Sequence, residues 1–249
     1  MRRVIRLFLL PLLCAPLLAA AQPQPLSELS ARGQLLCASA LLYFNPAERA
    51  PDPRSLTAVY HHLHSLQIQV LQLGQPPALV EPLTAMQRSF ARLDALPRQQ
   101  RQAYPQLLEQ LLGQQLALQQ AATQVLTPAE VVAEPATSAQ LLGQQSLDLA
   151  SLLLDYQIGH YPWPSGVPAA FARVSPQALD QMLEARFAQL RLLLPEHAET
   201  LAKIRSSYLF VRPLLQEPGA RGQGGAEFYL SRAVLDLDEL AASLRQPRP

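Results

Sequence analysis

Residues 55–77 read SLTAVYHHLHSLQIQVLQLGQPP, and this stretch decides the fold class. Leu56, Val59, Tyr60, Leu63, Leu66, Val70 and Leu73 recur at intervals of three and four. That is the spacing of one face of an α-helix, not the alternation of a strand. Gly74 then offers a left-handed terminus, and Pro76-Pro77 forbids continuation. The same grammar recurs along the chain. Leu107, Leu108, Leu111, Leu112 and Leu116 form a stripe after Pro105. Ser175-Pro176 starts a helix with a capping hydroxyl and a proline whose missing N–H costs nothing there. Leu179, Met182, Leu183, Phe187, Leu190 and Leu194 follow as its apolar stripe.

Extended to the whole chain, the pattern predicts about eight helices: 26–44, 55–73, 78–95, 105–125, 138–158, 176–194, 196–216 and 226–245. Alternating apolar patterns and β-branched runs are nearly absent, so the expected class is all-α. Proline or glycine marks the longest connectors, Asn45–Arg54, Thr127–Thr137, Gly159–Val174 and Glu217–Gly225. Eight helices invite division into two tandem four-helix units, residues 22–126 and 138–249, with closure into one domain as the alternative. Leu83, Met86, Ser89 and Phe90 have the spacing of Leu201, Ile204, Ser207 and Tyr208, and Ala38-Ser39 pairs with Ala150-Ser151.

The amino terminus sets an expected compartment. Arg2, Arg3 and Arg6 precede an apolar run from Leu7 to Leu18, and Ala19-Ala20-Ala21 supplies a small-residue cleavage site. Residues 1–21 therefore read as a cleavable signal peptide, with a periplasmic or secreted product. The run is interrupted by Pro11 and Pro16 and falls short of the roughly 20 residues of a membrane span. Leu13 stands before Cys14 where a lipoprotein signal wants a small residue. Cleavage would leave Cys37 without a partner, in an apolar run that predicts burial. It would also remove three of the 20 basic residues and none of the 19 acidic ones. The nearly neutral surface carries no footprint for nucleic acid. Lys203 is the sole lysine, a bias typical of a GC-rich bacterial genome.

Four polar constellations stand out. His61 and His64 lie about 60° apart on one helix, off its apolar stripe, and two histidines at that spacing can share a metal. The plainer reading is a solvated face. His160, Tyr161 and Trp163 lie in a proline-flanked loop, as an aromatic lip over a ligand or as a loop pinned to the bundle. Arg205, Tyr208 and Arg212 share a helix face that would suit an anion, unless Glu196 or Glu199 pairs the arginines. Residues 219–225 look like a phosphate cradle but lack its lysine and hydroxyl, so a turn is expected. No Gly-x-Ser-x-Gly, His-Glu-x-x-His or Cys-x-x-Cys-His motif occurs. No cofactor is implied.

Gly143-Gln144-Gln145-Ser146-Leu147, and more distantly Arg32-Gly33-Gln34, resemble a glycine–arginine–glutamine–arginine stretch. That stretch opens the periplasmic four-helix sensor module of type IV pilus methyl-accepting chemotaxis transducers and nitrate-type sensors. Ile204 to Leu244 is similar in layout to the last two helices of such modules. Gln144 and Ser146 replace the arginines. The resemblance implies a soluble periplasmic cousin without a signalling output. The expected function is binding of an envelope protein or a small ligand, without catalysis. The alternative is a metal- or anion-binding sensor-like protein.

Overall fold

The computed structural model describes residues 23–47, 50–126, 136–171, 176–216 and 223–245. Residues 1–21, read above as a signal peptide, Ser175, and residues 219–222 of the glycine-rich stretch lie outside these. The described residues form eight α-helices and no strand. The helices are α1 (Pro23–Tyr43), α2 (Pro53–Gln72), α3 (Pro77–Ala95), α4 (Tyr104–Leu126), α5 (Ser138–His160), α6 (Pro176–Leu193), α7 (Ala198–Gln216) and α8 (Gln223–Ser243). Each predicted helix is present, and the ends move by at most a turn. Gly225, expected in a turn, lies instead in the first turn of α8.

Local chemistry explains the ends. Asp52 caps α2, its carboxylate accepting from the Arg54 amide at 2.9 Å, with Pro53 in the first turn. Gly74, at φ +81°, ends that helix, and the Gln75 amide donates back to the Val70 carbonyl at 2.9 Å. Thr137 and Gln140 form a reciprocal capping box at the start of α5.

The helices are not equivalent. α1 is buried almost all round from Leu29 to Leu42, and α5 nearly so from Leu142 to Ile158. An all-round buried helix belongs at the centre of a helical domain. α1 packs on α2, α4, α5 and α8, while α5 packs on α1, α6 and α8. The two halves repeat one order of packing. In each, the first helix meets the second and the fourth, the third lies on the fourth, and the second touches the third. One continuous apolar core, from Leu29 to Ala241, joins both halves.

The glycine–glutamine stretches of α1 and α5 lie inside these central helices. Gly33 lies in the middle of α1, not at its opening. Its missing Cβ accommodates Gln115 of α4, whose Cγ would stand 3.3 Å from an added methyl. Gln145 and Ser146 are wholly buried in α5. Cys37 is buried as expected, and burial raises its thiol pKa strongly. Three stripe residues depart from the pattern. Tyr60 is 49% exposed, Met182 48% and Leu116 36%, each at the edge of its buried face. Tyr60 uses its position to reach α3, donating to Asp94 at 2.6 Å and setting its ring edge-on to Phe90.

Candidate functional site

The two central helices carry polar residues, and these find each other. Ser39 of α1 donates to Glu227 of α8 at 2.8 Å, Ser151 of α5 to Gln34 of α1 at 3.0 Å, and Ser146 of α5 to Asp238 of α8 at 2.6 Å. Arg32 of α1 lies 3.0 Å from the second oxygen of Asp238, off the hydrogen-bond angle. Arg186 of α6 pairs with Asp148 of α5. Burial holds the Asp238 carboxyl up at about 7, with Arg32 and Ser146 pulling it down. His62 is 2% exposed with its Nδ1 unpartnered. Burial, helped by the neighbouring Arg32 and His61 charges, lowers it to about 3. This layer is packed shut, with the geometry of a structural clasp.

The sequence-predicted sites divide as follows. His61 and His64 point outward and exposed, while His62 between them turns into the core. Among the described residues, no group of three or more His, Cys, Asp or Glu is arranged to hold a metal. Arg205, Tyr208 and Arg212 do share a face, but it lies against α6. Arg205 forks onto Glu184, and Arg212 and Tyr208 both bond Asp180. The partners are therefore Asp180 and Glu184, not Glu196 or Glu199, and they occupy the place of a ligand anion. Tyr208 is fully buried, and burial together with Asp180 pushes its phenol pKa up.

His160, Tyr161 and Trp163 pin their loop to the bundle. The His160 ring lies 4.1 Å from that of Tyr156 and its Nδ1 2.8 Å from the Tyr156 carbonyl. Tyr161 is buried, donating to the Phe44 carbonyl at 3.4 Å. The Trp163 indole donates to the Ile158 carbonyl at 2.9 Å and packs on Tyr161 with ring centres 4.6 Å apart and planes tilted by 53°. Trp163 with residues 164–169 also walls a shallow 530 Å³ hollow against Gln102, Pro105, Gln106 and Glu109. An open groove of about 840 Å³ runs between α7 and α8, with both signs of charge along it.

The arrangement best suited to a ligand lies elsewhere, where α1 ends beside the junction of α3 and α4. A cavity of about 420 Å³ is bounded there by Tyr43, Phe44 and Asn45 from the end of α1. Asp94 and Leu96 close it from α3, and Arg98, Arg101 and Tyr104 from the linking 3-10 turn and the start of α4. Pro97 separates that turn from α3, whereas the turn runs directly into α4, with Pro105 as that helix's second residue. The floor is aromatic. Phe44 meets Tyr104 edge-on at 5.2 Å and Tyr43 at 5.0 Å. Arg98 lies over the Tyr43 ring, 5.7 Å from its centre, with one nitrogen 3.5 Å from the phenol oxygen. Arg98 and Arg101 form no ion pair with the described residues. Burial raises the Tyr104 phenol pKa, while both guanidiniums draw it down.

Sequence reasoning missed this site. A usable signal was Arg98 and Arg101, three apart in a proline-bracketed connector next to Tyr104. Tyr43 and Asp94 carried none. The chain matches no protein-family model, no curated protein and no solved structure.

Proposed function

We propose that this protein is an exported, non-catalytic helical binding protein of the bacterial cell envelope. Its ligand is a small molecule held at the Tyr43–Arg98–Arg101–Tyr104 cavity. One observation carries the reading: a cavity of about 420 Å³, within the usual size of ligand sites, lined by two guanidiniums without a carboxylate partner among the described residues. The export half rests on the basic, apolar and small-residue grading of residues 1–21. No helix among the described residues is long and apolar enough to cross a membrane, which accords with release after cleavage. The division into two tandem four-helix units draws support from the shared packing order of α1–α4 and α5–α8.

Two measurements test the proposal. Amino-terminal sequencing of protein recovered from a periplasmic extract is expected to begin at Gln22; full-length chain retained in the cytoplasm would refute export. A thermal-shift screen of small metabolites is expected to yield a ligand that raises Tm, because ligands that bind the native state stabilise it. That shift should vanish in Arg98→Gln. A hit whose shift survives that substitution would place the site elsewhere.

A further inference from the structure

The chemistry of the cavity wall restricts its occupant. Resting on the small-ligand reading above, we propose that the cavity binds a monoanionic aromatic carboxylate, with Arg98 and Arg101 holding the acid group and Tyr43, Phe44 and Tyr104 receiving the ring.

The charge of the wall sets the first restriction. Arg98 and Arg101 contribute two positive charges and Asp94 one negative charge. Asp94 is held in place by the Tyr60 hydroxyl at 2.6 Å, so it stays on the rim. The net excess is a single positive charge, which one carboxylate neutralises. A phosphate dianion would meet Asp94 with uncompensated charge. A cation would meet two guanidiniums.

Geometry sets the second. A guanidinium is planar and presents paired N–H donors that match the two oxygens of a carboxylate. Arg98 lies over Tyr43, 5.7 Å from the ring centre with one nitrogen 3.5 Å from the phenol oxygen, which holds the guanidinium at the cavity before any ligand arrives. Tyr43 and Tyr104 also line the cavity, with the Tyr43 phenol oxygen beside Arg98.

The aromatic floor sets the third. Phe44 and Tyr104 are buried, in edge-to-face contact, and anchored from behind by Phe90, 6.4 Å from Phe44. Such a floor favours a flat ring over an aliphatic chain. The volume exceeds what a carboxylate as small as acetate needs.

The test titrates the purified protein with benzoate, acetate, benzamide, benzylamine and inorganic phosphate. The Arg98 and Arg101 Nε–H resonances and the Tyr104 ring are followed by NMR. Benzoate is expected to shift these signals to saturation. Acetate and benzamide should bind at least about tenfold more weakly, since each lacks either the ring or the charge. Arg98→Gln and Arg101→Gln should each weaken benzoate about tenfold, and Arg191→Gln on exposed α6 should not. Both arginines of the cavity are exposed, so their variants keep the fold, which circular dichroism checks. If benzamide, benzylamine or phosphate saturates the same signals as tightly as benzoate, the carboxylate assignment falls and the cavity remains a binding site. If none of the five probes moves any of these signals, the cavity itself falls as a small-ligand site.

Discussion

Asp180 shows how one carboxylate organises a neighbourhood. It accepts from the Tyr208 hydroxyl on one oxygen and from Arg212 on the other, tying α6 to α7. Tyr208→Phe keeps the ring packed against Phe187 and removes one hydrogen bond. It is expected to cost about 1 kcal/mol, read by urea unfolding. Asp180→Ala should cost more, because it strands a buried hydroxyl and an arginine together. Equal costs would mean that the Arg212 pair contributes nothing. The arginine pattern was legible in sequence, since residues at three and four must share a face. Its partners were not, because Asp180 and Glu184 stand on another helix, more than twenty positions away.

Two glycines make opposite predictions at the scale of the element. Gly113 lies exposed within α4, and a Cβ added there meets nothing within 4 Å. Gly113→Ala is expected to stabilise by about 0.5–1 kcal/mol, since glycine lowers helix stability by that amount. Gly74 is equally free of neighbours but sits at φ +81°. Gly74→Ala should destabilise by about 1 kcal/mol through backbone strain alone. Thermal unfolding of the two variants should move Tm in opposite directions. Helix ends of this kind were legible because proline, glycine and capping hydroxyls act within a few residues of the backbone they shape. The centrality of α1 was harder to read. Arg32, Gln34 and Ser39 are polar residues that sequence alone would assign to solvent, yet each is matched by a polar group on α5 or α8. The cavity was least legible, because Tyr43, Asp94 and Tyr104 meet only when the ends of three helices converge.

Among the described residues of the whole molecule, buried groups act in opposite pH senses, His62 in one and Asp238 with Glu227 in the other. His62 stays neutral in the fold down to about 3, against 6.5 when free. It therefore gains a proton on unfolding between those values, and its contribution to stability rises with pH there. Asp238 keeps its proton in the fold up to about 7, against 3.8 when free. It loses a proton on unfolding across that window, so its contribution falls as pH rises. Glu227, raised by burial, acts in the same sense as Asp238. Between about pH 4 and 6.5 the two one-proton slopes oppose each other. His62→Asn should then become less stable as pH rises from about 4 to 7, and Asp238→Asn more stable over the same range. Urea unfolding at several pH values reads each slope independently of any overall loss of stability. Parental slopes in both variants would remove these residues from the account.

Ser39 on α1 and its partner Glu227 on α8 are separated by 188 residues. A ribosome adding about 5–20 residues per second needs roughly ten to forty seconds to make the chain between them. Throughout that interval, a helix that is buried almost all round in the fold exists without one of its permanent neighbours. A chain so ordered finishes folding late, and a nascent chain truncated before α8 should stay sensitive to protease. For a protein read as exported, that delay is useful. The longer α1 waits for α8, the longer the chain remains loose enough to be threaded through a translocation channel.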